Sequence, residues 1–177
     1  MDITIMTNIR TALDAAWVEA ISAYQAGRVN SERTLQSALY HHLMRLLPHD
    51  IHTFCEPTVR VDGYGPLIPD LLISQGNQVL AAIELKFVPH HYALFEDDLV
   101  KLRVYGTTPD QFPIRLDPET GQYSNELFAV SPDCLLVFAV VSRSDAAAVD
   151  EDVLRQHMQD HRATFIPLCY RVKVREA

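Results

Sequence analysis

The sequence predicts a single α/β domain organised around a mixed β-sheet. The chain has 177 residues, a usual size for one domain, and no internal repeat, low-complexity tract or linker divides it. Four segments carry apolar residues at helical spacing, and between them lie segments with the apolar patterns of strands. The resulting order, α, α, β, β, β, α, β, α, β, is typical of this class.

The first two helices are predicted from apolar stripes and end signals. The first ends at Gly27, a residue common just after a helix C-terminus. The second begins at Asn30 or Ser31, either of which can cap it, and ends before Pro48. Two further helices are predicted over residues 92–105 and 145–161.

Extended segments fill the middle and the end of the chain. Gln75, Gly76 and Asn77 have turn chemistry between two of them, and the run from 134 to 142 is apolar on both faces, as in a buried strand. Residues 107–132 are rich in Pro, Asp and Gly and predict a long loop with room for one short element. Strands are predicted over residues 51–61, 67–73, 78–87, 134–142 and 164–174.

The charge of the chain excludes one class of nucleic-acid-binding protein. Fifteen Lys and Arg residues against 23 Asp and Glu residues give a net charge of −8, which argues against broad electrostatic coating of a polyanion. Only three of the basic residues are lysines. No apolar run is long enough to span a bilayer, and the first residues lack a basic leader, so a cytoplasmic protein without a membrane partner is expected.

A carboxylate and an ammonium lie side by side on the third predicted strand. Glu84 and Lys86 share one face of a strand that is otherwise apolar. If the preceding turn is centred on Asn77, Asp70 lies opposite Glu84, with Cβ atoms about 5 Å apart. A shift of one residue in register would turn Asp70 to the other face.

Two carboxylates in an apolar environment are costly unless a cation neutralises them. Mg²⁺ takes oxygen ligands and keeps some of its waters, which suits Asp70, Glu84 and one main-chain carbonyl. Lys86 would lie beside the bound water, where its charge helps to orient an attacking hydroxide and stabilises charge on a phosphate. Such a site is suited to hydrolysing a phosphodiester.

Glu32 adds a third carboxylate. It lies at the start of the second helix and continues its apolar stripe, so it is expected to face the sheet rather than water. An acidic residue in the first turn also complements the helix dipole, and for Glu32 alone both interpretations stay open.

These residues resemble the PD-(D/E)xK nuclease superfamily, which has the restriction-endonuclease-like fold. The motif is present as Pro69-Asp70, thirteen intervening residues and Glu84-Leu85-Lys86, preceded by Glu32 on a helix. The resemblance covers roughly residues 28–142 and implies a three-layer α/β/α core with a central mixed sheet. The N-terminal helix and the C-terminal helix and strand are then additions within one domain, residues 1–177.

The resemblance also implies a role for each residue of the motif. Asp70 and Glu84 would be metal ligands, the Leu85 carbonyl a third ligand and Glu32 an accessory ligand, for Mg²⁺ with Mn²⁺ as a substitute. Lys86 would be the water-positioning base or an electrostatic stabiliser. The implied activity is metal-dependent hydrolysis of nucleic acid, with DNA favoured over RNA and with internal or terminal cleavage left open.

The third predicted helix carries a polar seam beside its apolar stripe. Asp98, Lys101 and Tyr105 recur there at helical spacing after Leu94. The stretch from Lys101 to Tyr105 resembles the Gln-x-x-x-Tyr motif of exonuclease-type members of the superfamily, with Lys in place of Gln, so both residues are candidate substrate contacts. A solvated helix face, with Lys101 paired to Asp97, is the alternative.

Two further alternatives stay open. His90 follows the strand that carries Glu84 and is a candidate phosphate contact, or simply a solvated loop residue. The whole chain is alternatively a catalytically inactive scaffold or regulatory subunit that acts through protein partners, which the charge and the lack of a DNA-reading module favour. Charges in a buried strand are costly without a task, which favours the enzyme. A homodimer or a partner protein would help to cut or hold a duplex.

Overall fold

The computed structural model describes residues 3–61, 63–91, 95–109, 111–116, 119–143, 151–161 and 164–173. These ranges contain four α-helices, namely α1 (Ile3–Gln25), α2 (Glu32–Leu46), α3 (Glu96–Thr107) and α4 (Glu151–His157). A short 3-10 helix, Gln159–His161, follows α4. The strands are β1 (Ile51–Cys55), β2 (Val59–Val61), β3 (Gly65–Leu67), β4 (Leu71–Gln75), β5 (Gln78–Val88), β6 (Gln111–Pro113), β7 (Leu127–Arg143) and β8 (Phe165–Val172).

Six of the strands form one mixed sheet, which confirms the predicted α/β class. Strand β1 pairs with β4, and β4 with β5, in antiparallel orientation. Strand β5 pairs with β7 in parallel, and α3 lies between them in the chain. Strand β7 also pairs with β6 near its start and with β8 near its end. Strands β2 and β3 form a separate two-stranded sheet.

Helices cover both faces of this sheet. Helices α1 and α2 pack over Ile83 and Leu85 of β5 in one apolar cluster. Helix α3 packs over Ala82 in a second cluster on the opposite face. Because successive side chains of a strand point to opposite faces, Glu84 and Lys86 point to the layer of α3.

The helices and turns follow their sequence signals. Helix α2 is capped by Ser31, and Gly27 and Gly76 have the positive φ angles of a helix end and a tight turn, 72° and 52°. Helix α3 begins at Glu96; residues 92–94 and 145–150 of the predicted helices lie outside the described residues. No described helix is both long and apolar enough to cross a membrane.

The predicted loop over residues 107–132 contains one short element, strand β6, as the prediction allowed. Its predicted end is wrong, because β7 begins at Leu127 rather than at 134. Pro132 lies where the pairing of β7 with β5 shifts, and a strand tolerates proline at such an irregularity. Because Pro and Gly are typical of loops, the composition of this segment does not predict that β7 begins within it. The predicted strand over residues 51–61 is also two strands, divided near Glu56, which has a φ of 47°.

The register expected from a turn centred on Asn77 is confirmed close to the predicted site. Leu71 pairs with Ile83, and the next two pairs follow in step. Nearer the turn, the register shifts after Ile73. Leu80 consequently packs with the α1 and α2 layer and Val79 with the α3 layer, opposite to strict alternation.

Replacing Ser31 with Ala should destabilise α2. The Ser31 side chain accepts a hydrogen bond from the Thr34 N–H, and the Thr34 side chain binds back to the cap, so Ser31→Ala removes one half of a capping box. We expect a loss of about 1 kcal/mol in the free energy of unfolding, measured by urea denaturation. Ser37→Ala on the same helix is the control, since the exposed Ser37 hydroxyl only binds the Arg33 carbonyl. Equal losses in both variants would contradict the capping role.

Candidate active site at the end of strand β5

The candidate site forms where β5 extends beyond its neighbour β4. The first residue of β4, Leu71, pairs with Ile83, but β5 continues to Val88. The N–H groups of Leu85 and Phe87 have no β4 residue to pair with. A buried backbone donor left without an acceptor is costly, so this end of the sheet needs other acceptors.

Two carboxylates supply those acceptors. Asp70 Oδ2 accepts the Leu85 N–H at 2.6 Å, and Glu32 Oε2 accepts the Phe87 N–H at 3.0 Å. Both acids therefore lie along the same edge of β5. In a strand, the N–H and C=O of one residue point to the same side, so the Leu85 carbonyl also faces this edge.

The backbone of Asp70 is held from two directions. Its carbonyl accepts hydrogen bonds from Gln36 Nε2 at 2.9 Å and from the Glu56 N–H at 3.1 Å. Gln36 lies one helical turn after Glu32 on α2. Helix α2 thus positions one acid directly and the other through its backbone.

A chain of ion pairs joins β5 to α3 on the other side of the site. Lys101 Nζ lies 3.2 Å from Glu84 Oε2 and 3.2 Å from Asp98 Oδ1. Lys86 Nζ lies 3.1 Å from Asp98 Oδ2. The Glu84 side chain is 3 % exposed, whereas the Lys101 side chain is 34 % exposed, so the lysines connect a buried acid to solvent. Two of the three lysines in the chain belong to this cluster.

Both motif carboxylates are difficult to ionise in this environment. Burial raises the pKa of Glu84 to about 8, despite the positive charge of Lys101, and the charge of Asp70 contributes to the increase. Burial raises the pKa of Asp70 to about 6; the Leu85 N–H opposes this increase and the charge of Glu32 adds to it. Burial lowers the pKa of Lys101, but the adjacent Glu84 and Asp98 outweigh it and the net shift is upward. The site therefore favours additional positive charge.

Among the described residues, five buried side-chain oxygens have no hydrogen-bond partner, and two of them belong to this site. They are Glu84 Oε1 and the Tyr105 hydroxyl. Burial raises the pKa of Tyr105, and the charges of Glu84 and Asp70 raise it further. The hydroxyl thus faces the same carboxylates. A buried oxygen without a partner calls for a ligand, ion or water, and Glu84 Oε1 is the only one of the five that belongs to a carboxylate.

The donor atoms match the preferences of a small hard cation. The Asp70 and Glu84 carboxylates and the Leu85 carbonyl offer oxygen only, and Mg²⁺ sites in proteins commonly use one or two carboxylates with water completing the shell. Within the described ranges, no group of three or more His, Cys, Asp or Glu side chains is arranged to hold a metal ion. A site built from two carboxylates and a main-chain carbonyl does not need such a group.

The structure brings most of the sequence-predicted residues together. Asp70, Glu84 and Lys86 converge at the end of β5, and α3 brings Lys101 and Tyr105 to the same place.

The prediction for Glu32 is confirmed in part, since its carboxylate reaches the sheet but the residue is exposed at the start of α2. The alternative pairing of Lys101 with Asp97 is wrong, because Lys101 pairs with Asp98 and Glu84. His90 lies exposed in the turn after β5, and no hydrogen bond or ion pair within the described part of the chain joins it to the carboxylates. Leu94 lies outside the described residues.

Sequence reasoning missed the roles of Gln36 and Asp98. Gln36 is buried and holds the Asp70 carbonyl, and its position four residues after Glu32 was the available signal. Asp98 belonged to the predicted polar seam, but its place between Lys86 and Lys101 depends on the packing of α3 against β5.

Comparison of the chain with protein-family models, with curated proteins and with solved structures finds no significant match. The function therefore has to be inferred from the geometry and chemistry of the site.

Stability should fall with rising pH because of Glu84. Its ordinary pKa of 4.5 rises to about 8 on folding, so the folded protein binds more protons between these values. This contribution is complete below pH 4.5 and is lost as the pH rises through about 8. Glu84→Gln should reduce the fall in unfolding free energy over this interval by on the order of 5 kcal/mol, measured by denaturation at several pH values. The control is Glu19→Gln on the surface of α1, and an unchanged pH profile in Glu84→Gln would contradict the assignment.

Proposed function

We propose that this protein is a metal-dependent nuclease that hydrolyses phosphodiester bonds of nucleic acid, with DNA as the preferred substrate. The observation that carries the proposal is the buried Glu84 carboxylate, which has one unpartnered oxygen and lies with Asp70 at a strand end that also presents Lys86. Two acids and a lysine in this arrangement are the groups that such hydrolysis requires.

The order of elements around the site supports the restriction-endonuclease-like fold for this proposal. Helix α2 is followed by the antiparallel strands β1, β4 and β5, and then by α3 and the parallel strand β7. Helices lie on both faces of the sheet, as in a three-layer α/β/α core. The hairpin between β2 and β3 is an insertion between the first two of these strands.

In the proposed site, Asp70, Glu84 and the Leu85 carbonyl would hold Mg²⁺ or Mn²⁺; Glu32, the predicted accessory ligand, accepts the Phe87 N–H here and would have to release it to join them. The chemistry that a divalent cation supplies there is Lewis acidity, which makes water more acidic and stabilises negative charge on a phosphate. The raised pKa values of Asp70 and Glu84 support this assignment, because added positive charge relieves the cost of ionising both groups.

The lysines act on the substrate side of the proposed site. Lys86 is anchored by Asp98, and its side chain is 29 % exposed, so it is accessible to water and to a phosphate oxygen. There it orients the attacking water and stabilises the charge of the transition state. Lys101 neutralises Glu84 and, being partly exposed, also contacts a substrate phosphate. Tyr105 is too buried for broad substrate contact, and its hydroxyl, which lies near the carboxylates without bonding to them, is available to a ligand or water in the site.

The first test is cleavage of labelled single-stranded and duplex DNA and RNA with Mg²⁺ or Mn²⁺. Asp70→Ala and Lys86→Ala should each lower the rate at least about a hundredfold, because each removes a group on which the reacting phosphate depends. Lys173→Ala is the matched control, since Lys173 is the remaining lysine and is exposed. Full activity in either site variant would reject the assignment, provided that all variants show wild-type folding by circular dichroism.

The second test separates the enzyme from the inactive scaffold on the same fold. Two observations favour the inactive scaffold. Lys86 and Lys101 already neutralise Asp98 and Glu84, and the chain has a net charge of −8. We expect calorimetry to detect Mn²⁺ binding to the wild type and at least tenfold weaker binding to Glu84→Gln, which loses a charged ligand. Absence of Mn²⁺ binding, together with absence of cleavage on every substrate, would favour the scaffold.

A further inference from the structure

An open groove runs along the free edge of the sheet beside the candidate active site. Its volume is about 560 Å³, and it is bounded by α2, by edge strand β1 and by the segments around Leu116 and Tyr123. This α2–β1 groove falls within the roughly 300–1,000 Å³ range of small-molecule sites. It is lined chiefly by aromatic and apolar side chains with a few polar groups.

The groove adjoins the candidate active site through the backbone of Asp70. Glu56, at one end of the groove, donates its N–H to the Asp70 carbonyl at 3.1 Å. On α2, Gln36 contacts the same carbonyl, and Tyr40, the next residue on that helix face, lines the groove. Four residues of helix rise about 6 Å, which is comparable to the spacing of neighbouring nucleotides in an extended strand. A strand held at Asp70 would therefore reach the groove within one or two nucleotides.

The lining has the chemistry of a stacking platform. Tyr40, Phe54 and Tyr123 contribute aromatic rings. Arg115 also lines the groove, where it lies 5.5 Å from the centre of the Phe128 ring and 3.0 Å from Glu126. A guanidinium fixed in this way presents a planar cation without a large net charge, because Glu126 compensates it. Nucleobases stack on such rings and planar cations.

Several side chains that line the groove are exposed and therefore accessible to a ligand. Tyr123 is 45 % exposed and Leu116 is 58 % exposed, and a backbone bridge joins these two residues. On the opposite wall, Met44 is 50 % exposed. Apolar surface grouped in a concave site indicates binding rather than chance exposure.

We infer that the α2–β1 groove binds bases of a single-stranded segment of nucleic acid next to the bond that is cut. The inference rests on the proposed function, since it places the groove relative to the phosphodiester site. It also explains how a chain with a charge of −8 can hold a polyanion: stacking replaces most of the attraction that a basic surface would supply. The substrate class is thus single-stranded nucleic acid, or a duplex end or flap with unpaired bases.

The test is the binding of a fluorescent oligothymidylate and of a matched duplex by anisotropy, without divalent cations so that no cleavage occurs. Single strands should bind at least about tenfold more tightly than duplex, and Tyr123→Ala should weaken single-strand binding by about tenfold because one stacking surface is lost. Tyr123→Phe keeps the ring and should bind as the wild type does. Tyr64→Ala is the control for loss of an exposed tyrosine outside the groove, since Tyr64 is 62 % exposed.

The outcomes separate this inference from the proposed function. If Asp70→Ala and Lys86→Ala abolish cleavage but Tyr123→Ala leaves the oligonucleotide affinity unchanged, the groove inference fails and the nuclease proposal stands. If no substrate is cut but oligonucleotide binding depends on Tyr123, the nuclease proposal fails, and the groove is still assigned to binding single-stranded nucleic acid. Tighter binding of the duplex than of the single strand would overturn the inference. The inference would also fail if the protein bound no oligonucleotide but self-associated, and if Tyr123→Ala abolished the self-association. The occupant of the groove would then be a second copy of the chain.

Discussion

The difference in length between β4 and β5 determines the geometry of the candidate site. Where an inner strand extends beyond its neighbour, its N–H groups lose their partners in the sheet. Each such group costs roughly 1–3 kcal/mol when it is buried without an acceptor. Asp70 and Glu32 satisfy the Leu85 and Phe87 donors, so a requirement of the fold itself brings two acids to one edge. The hydrogen bond that completes the sheet also fixes the orientation of the carboxylate proposed to bind a cation.

The opposite wall of the site depends on α3. Asp98 binds both lysines, and Lys101 in turn binds the buried Glu84, so the position of each ammonium depends on how α3 packs on β5. A buried carboxylate that keeps one oxygen unpaired is unfavourable for stability. Proteins tolerate such groups mainly where chemistry is performed, and this is the physical basis for regarding the cluster as functional rather than structural.

Sequence patterns predicted the parts of the fold that local chemistry controls. The Ser31 cap, the Gly27 and Gly76 positions and the pairing of Leu71 with Ile83 all follow from short-range preferences. The position and pairing of β6 and the early start of β7 could not be predicted, because their Pro-rich segment becomes extended only by pairing with distant residues.

The same limit applies to the candidate site. The convergence of Asp70, Glu84 and Lys86 followed from strand periodicity, whereas the link between Lys86 and Asp98, and the groove beside β1, depend on tertiary packing. The shift in register after Ile73 lies between the turn at Gly76 and the site. Bulges absorb changes in strand length locally, so the turn can gain or lose residues without moving Asp70 relative to β5. An insertion or deletion engineered at this turn would therefore leave the chemistry at the other end of the hairpin in place.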